Sequence, residues 1–225
     1  MRKTIMNDST VSDVSVIIPV RRLNNSKSRL ANILSGELRR KLNKQMLQNV
    51  INACLKTDKL KRIIVISPDD EILELAREND IEIANEEFER GVNGAITYIL
   101  EKFREDISSI LILPSDLPLV TSRDLSKIIS VSKKEPSIVI SPSSRMDGTN
   151  ALLLKPVSAI PLFFDQDSFS NHLRSALINR VKTTIYISRN IILDIDTPYD
   201  LREFCSYREA KFYNYIRDHV NLYCS

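Results

Sequence analysis

The chain has 225 residues, of which 43% are hydrophobic and 27% charged, the balance of a soluble globular protein with one sizeable core. Its 32 basic and 29 acidic residues give a net charge of +3, too even to argue for a nucleic-acid surface. No apolar run approaches the ~20 residues of a membrane span, and the polar residues 1–13 lack a signal-peptide core, so a cytoplasmic protein is expected, with neither nucleic acid nor membrane as partner.

Strands and helices alternate along the chain. Residues 14–20 read as a buried first strand, and a basic loop covers 21–30. Ser35 caps a helix over 37–55, where leucines recur at helical spacing. Residues 62–67 form a second strand stopped by Pro68, Asp69 and Asp70 open a helix through Asn79, and 81–84 is a short strand. A helix over 95–104 precedes a buried strand at 110–113. Thr121 or Ser122 caps a helix over 124–133, and 137–141 and 151–154 are strands. Ser168 or Ser170 begins a helix to Asn179, 183–187 and 191–193 are strands, and Pro198 opens a helix through Phe204. In the tail, 207–222, Phe212, Tyr215, Ile216 and Val220 share one helical face, suited to packing on the domain or on a second subunit of a homodimer. With no repeat, low-complexity stretch or linker, the pattern predicts one α/β domain over 1–225, a mostly parallel sheet with helices on both faces.

Six stretches carry chemistry, in addition to the capping and turn roles each could serve. Pro114-Ser115-Asp116-Leu117-Pro118-Leu119 follows a buried strand, and two prolines stiffen the turn around a carboxylate at the end where open α/β sheets bind ligands. In the basic loop, Lys27 and Arg29 stand two apart among small polar residues, a set suited to polyphosphate, although neither a Walker A motif nor a dinucleotide fingerprint is present. Gly91-Val92-Asn93-Gly94 leads into a helix, where glycine lets backbone approach a ligand and Asn93 offers donors and an acceptor to a base or ribose. Asp147-Gly148-Thr149-Asn150 lies between two strands and reads either as a hairpin turn or as an anion contact. Phe163-Phe164-Asp165-Gln166-Asp167-Ser168 frames a helix start suited to a small phosphate, with His172 one turn on. Finally, Asp194 and Asp196 alternate in an extended segment and so point to one side, where two carboxylates repel unless a cation intervenes. Asp116, Asp194 and Asp196 together supply the hard oxygen ligands of a magnesium site bound to nucleotide phosphates. Three widely spaced cysteines (Cys54, Cys205, Cys224) and two histidines give no zinc pattern.

With these residues in view, the chain resembles the 2-phospho-L-lactate guanylyltransferase family, within the molybdenum-cofactor guanylyltransferase-like nucleotidyltransferases. The matching stretches are Lys27-Ser28-Arg29-Leu30, Gly91-Val92-Asn93, Leu113 through the Asp116 turn, Gly148-Thr149-Asn150-Ala151-Leu152, Ser168-Phe169 with His172, and Leu193-Asp194-Ile195-Asp196-Thr197-Pro198 with Asp200-Leu201. The resemblance implies a Rossmann-like, GT-A-like three-layer sandwich, GTP and 2-phospho-L-lactate as substrates, Mg2+ as cofactor, and lactyl diphosphoguanosine and pyrophosphate as products in coenzyme F420 biosynthesis. It places Lys27 and Arg29 on the triphosphate, Asp116, Asp194 and Asp196 on the metal, Gly91 and Asn93 on the nucleoside, and Thr149, Asn150 and Ser168 on the phospho-acid. The chain departs from the family at Asp165-Gln166-Asp167, where glycines are usual, and at Arg21-Arg22, where lysine is common. The alternatives are a related transferase acting on phosphoenolpyruvate or another phosphorylated acceptor, and a catalytically silent nucleotide-binding protein.

Overall fold

The computed structural model describes residues 13–87, 90–103 and 105–207. In chain order the elements are β1 (Val14–Pro19), α1 (Gly36–Leu55), β2 (Leu60–Ser67), α2 (Asp70–Arg77), β3 (Glu82–Asn85), α3 (Gly91–Lys102), β4 (Ser109–Ile112), α4 (Ser122–Val131), β5 (Ser137–Pro142), β6 (Thr149–Lys155), α5 (Ser168–Ile178), β7 (Lys182–Ile185), α6 (Arg189–Ile192) and α7 (Pro198–Cys205), with two 3-10 turns, Leu23–Asn25 and Ser28–Leu30, after β1. The strands form one sheet in the order β3-β2-β1-β4-β6-β5-β7. Only β6 runs against its neighbours; the remaining pairs are parallel.

The central strands are buried on both faces, so they read as continuous apolar runs while their alternate residues feed two separate cores. Val14, Val16 and Ile18 of β1, with Leu111 of β4 and Leu153 of β6, pack on Leu47 and Ile51 of α1, Ile72 of α2 and Ile128 of α4. Ile17, Ile110, Ile112, Leu152 and Leu154 point the other way, onto Ile96 and Ile99 of α3 and Phe169 and Ala176 of α5. A third cluster joins Leu30 and Leu34 to Leu42 and Met46 of α1, Leu193, Ile195, and Leu201 and Phe204 of α7. It locks the last strand-like segment onto the loop that follows β1.

Most caps are those the sequence suggests. Ser35 accepts from the Leu38 amide, and Thr121 with Asp124 and Thr197 with Asp200 form two reciprocal capping boxes. Helix α3 starts at Gly91, four residues ahead of the expected start at 95. Gly91 has φ +69°, a left-handed conformation strained for any other residue, and that turn lets the helix begin where a loop is expected. Residues 191–193, expected as a strand, instead lie partly in the short helix α6. Its cap Ser188 and Asn190 both bond the Asp124 carboxylate, at 2.7 and 3.0 Å, and this draws the chain off the sheet after β7. The Asp147-Gly148 turn closes the β5–β6 hairpin, where Ser143 accepts from the Gly148 amide at 3.0 Å and donates to Asp147 at 2.8 Å. Apart from Tyr207, the expected helix over 207–222 lies outside the described residues, as do His219 and Cys224. Among the described residues no helix is long and apolar enough to cross a membrane.

Candidate active site

β1 continues outward to β2 and β3 on one side, while β4 lies on its other side. The carboxyl ends of β1 and β4 therefore flank a topological switch point, where crossover connections diverge and leave a crevice. A cleft of about 380 Å³ opens there, lined by Arg21, Lys27 and Arg29 from the loop after β1, by Asp116 from the turn after β4, and by Asp196 and Phe164.

Lys27 is the centre of this arrangement. It sits between the two 3-10 turns at φ 54°, in the left-handed region, and its side chain is only 6% exposed. Its Nζ lies 2.7 Å from Asp116 Oδ2 and 2.7 Å from Asp196 Oδ1. Burial works against the ammonium charge, but Asp116 and Asp196 outweigh it and hold the Lys27 pKa above its usual range. A backbone bond from the Ile195 amide to the Asp116 carbonyl, 3.3 Å, ties the two acidic segments together.

The placement of Asp194 and Asp196 follows from period-2 geometry. Leu193 and Ile195 are 1% and 0% exposed in the third core cluster, so the intervening acids face away from it. Asp194 is buried and accepts from Asn150 Nδ2 at 3.1 Å, with Arg145 Nη2 4.0 Å away. Burial, then the neighbouring Asp116 carboxylate, push its pKa up to about 6. For Asp196, burial is outweighed by Lys27, with help from Arg29 and Arg145, and its carboxyl is held below the usual range. The three acids thus converge, but the Lys27 ammonium lies between two of them, and among the described residues no three acidic, histidine or cysteine side chains form a ready-made metal cage.

The other sequence-predicted residues fall into two groups. Gly91 and Asn93 begin α3 beside the cleft. Asn93 accepts from the Phe164 amide at 2.8 Å and donates to Asp165 at 3.0 Å, pinning the 163–165 segment against the helix. Thr149, Asn150 and Ser168 are buried behind the cleft wall, at 3–5% exposure. The Asn150 amide is engaged by the Ile191 and Ile192 carbonyls as well as Asp194, so in this arrangement it orients an acid. Thr149 Oγ1 receives the Ser168 hydroxyl at 3.1 Å and lies 3.1 Å from His172 Nδ1. The Phe163 amide donates to His172 Nε2 at 2.9 Å, so Nε2 carries the lone pair and Nδ1 the proton, which has Thr149 Oγ1 and the Ser168 backbone as acceptors. Burial pushes the His172 pKa down to about 4, keeping the ring neutral.

Arg145, at the tip of the β5–β6 hairpin, was not singled out from sequence. Its guanidinium lies 3.1 Å from Asp200 Oδ1 and 3.6 Å from Asp147, linking the hairpin to the α7 cap. A lone arginine in a turn gives no local signal; only the hairpin's fold onto α7 reveals it. Glu86, just past β3, was missed in the same way.

A cleft with cations from one loop and paired carboxylates from two others suits transfer chemistry at a polyphosphate. Comparison with known proteins agrees. Residues 14–221 match the model of the guanylyl transferase CofC-like family. A phosphoenolpyruvate guanylyltransferase of Rubrobacter xylanophilus is 37% identical over 190 residues, 84% of this chain and 91% of that protein. A 2-phospho-L-lactate guanylyltransferase of Methanothermobacter thermautotrophicus is 35% identical over 194 residues, covering 86% of this chain and 85% of that protein. Among solved structures, one from Desulfovibrio desulfuricans G20, of the nucleotide-diphospho-sugar transferase type, superposes with a TM-score of 0.73 at 15% identity, covering 92% of this chain and 95% of the other, a likeness of fold. The chain belongs to the CofC-like guanylyltransferase family, and it is a nucleotidyltransferase.

Proposed function

We propose that this enzyme transfers GMP from GTP to the phosphate of a phosphorylated three-carbon acid, 2-phospho-L-lactate, in the F420 pathway. An acceptor phosphate oxygen attacks the α-phosphorus in line; the new P–O bond forms as the bond to the β-phosphate oxygen breaks, and pyrophosphate leaves. The acceptor phosphate is already ionised at neutral pH, so alignment and charge neutralisation are the enzyme's tasks. Lys27 and Arg29 stabilise the triphosphate and the leaving pyrophosphate. Thr149 and Ser168, joined by a hydroxyl hydrogen bond at the start of α5, are the side chains that would seat the acceptor phosphate.

Magnesium fits the donor set: Asp116 and Asp196 present two carboxylates to the cleft, 25% and 36% exposed, enough for an ion that also binds phosphate oxygens and water. When bound, it supplies positive charge against the phosphate oxygens of both substrates. Asp194 stands behind these two acids, held by Asn150.

The observation that carries this reading is the Lys27 ammonium between Asp116 and Asp196 at the sheet's switch point. A second acceptor, phosphoenolpyruvate, is favoured by the 37% identical Rubrobacter protein that bears that activity in its name. Pyrophosphate release measured with each of four nucleoside triphosphates against both acceptors tests the proposal. Magnesium-dependent release with GTP and either acid is expected; GTP binding with no release under any pairing would leave a silent binder instead.

A further inference from the structure

Glu86 sits immediately past the carboxyl end of β3, and it is only 6% exposed. Its backbone amide is fixed on the Ser67 carbonyl at 3.1 Å, and its Oε1 accepts from the Arg90 amide at 2.7 Å. Among the described residues that amide is its one side-chain partner, and no cation pairs with it. A carboxylate this deeply buried with one neutral donor is costly to keep, unless further donors arrive with a ligand.

A place for such a ligand adjoins it. Glu86 lines a narrow slot of about 20 Å³ with Gly91, Val92 and Ala95. Pro19, Val20, Arg21 and Val92 line both this slot and the main cleft, so the two are neighbouring parts of one surface. The slot itself is about the size of one water molecule, but it opens onto the main cleft along a wall that is apolar at Val20 and Val92, where the face of a ring can lie with its edge turned toward Glu86. Gly91, at φ +69°, has no side chain to fill the space, and a Cβ built there meets nothing within 4 Å.

We infer that Glu86 reads the base of the nucleotide, its carboxylate accepting the adjacent N1–H and N2–H donors of a guanine edge. This rests on the nucleotidyl-transfer reading above. A carboxylate offers only acceptors. Adenine and cytosine present a ring-nitrogen lone pair beside their amino group, which a carboxylate repels. Uracil presents one N–H between two carbonyls. Among the four common bases, guanine alone places two donors side by side, spaced for both carboxylate oxygens, and such charge-assisted pairs are the stronger hydrogen bonds. Glu86 would then select GTP by penalising its competitors as much as by holding guanine.

The test compares GTP, ITP and ATP on the wild type and on Glu86→Gln, by calorimetric binding and by pyrophosphate release with either acceptor. ITP lacks the N2 amino group, and the glutamine amide turns one acceptor into a donor while keeping the side chain's shape. The wild type should bind GTP at least ~10-fold more tightly than ITP or ATP, and E86Q should lose ~100-fold in GTP affinity without a matching loss for ATP. A thermal melt shows whether E86Q is folded; should it fail to fold, the wild-type GTP-to-ITP ratio decides, and equal binding overturns the inference. An E86Q enzyme that keeps the wild-type preference also overturns it. Binding needs no acceptor, so an absence of turnover counts against the transfer reading while leaving the role of Glu86 to the binding result.

Discussion

The buried imidazole of His172 makes the stability of this fold depend on pH in a window that can be stated in advance. The ring is 0% exposed, takes the Phe163 amide hydrogen on Nε2 at 2.9 Å, and packs edge-on to Phe164 with centroids 4.9 Å apart. A proton added at Nε2 would face that amide N–H with no acceptor, and the charge would lie among aromatic rings. Burial accordingly lowers the pKa from its ordinary 6.5 to about 4. The folded value is below the unfolded one, so the unfolded chain takes up the proton first. The contribution of the neutral ring is intact above pH 6.5 and erodes as pH falls toward 4. Linkage between those two values gives a loss of about 2 kcal/mol at pH 5 and about 3 kcal/mol at pH 4. In His172→Gln the amide oxygen can still accept from Phe163, but nothing titrates. Urea unfolding of both proteins between pH 4 and pH 8 should show the wild type falling away from H172Q by those amounts. Parallel profiles would refute the assignment of the lone pair to Nε2 and the neutral, buried state built on it.

Asp116→Asn should keep the melting temperature within a few degrees and lower kcat/KM by at least ~100-fold, since it removes charge at the cleft without changing shape; near-normal turnover would remove Asp116 from the proposed magnesium-binding set. Lys27→Met leaves Asp116 and Asp196 facing each other without the ammonium, and a loss of ~100-fold or more in pyrophosphate release is expected, with magnesium titrations reporting whether added cation compensates. Thr149→Val should raise KM for the phospho-acid by ~10-fold while leaving KM for GTP unchanged; equal effects on both would place Thr149 away from the acceptor. Asn150→Leu strips donors from the Ile191 and Ile192 carbonyls and from Asp194, and should cost about 1–3 kcal/mol in urea unfolding.

Much of the fold was legible because its signals are local. Apolar runs such as Ile110-Leu111-Ile112 mark strands buried on both faces, and Ser35, Thr121 and Pro198 announce helix starts within a few residues. The shared side of Asp194 and Asp196 was also readable, because alternation in an extended segment needs no knowledge of the rest of the chain. Residues 191–193 misled, since three apolar side chains fit a strand and a buried helical turn equally, and the deciding contact, Asp124, is 64 residues from Ser188.

The kind and order of the elements, and the chemical character of the loops that follow the strands, are written locally in the residues. Tertiary structure alone settles who meets whom: Lys27 between carboxylates 89 and 169 residues away, Thr149 beside His172, and Glu86 buried beside the cleft with the Arg90 amide as its side-chain partner among the described residues. Periodicity and capping act over one or two turns, whereas these meetings depend on strand order and crossover, which bring distant loops to the same end of the sheet.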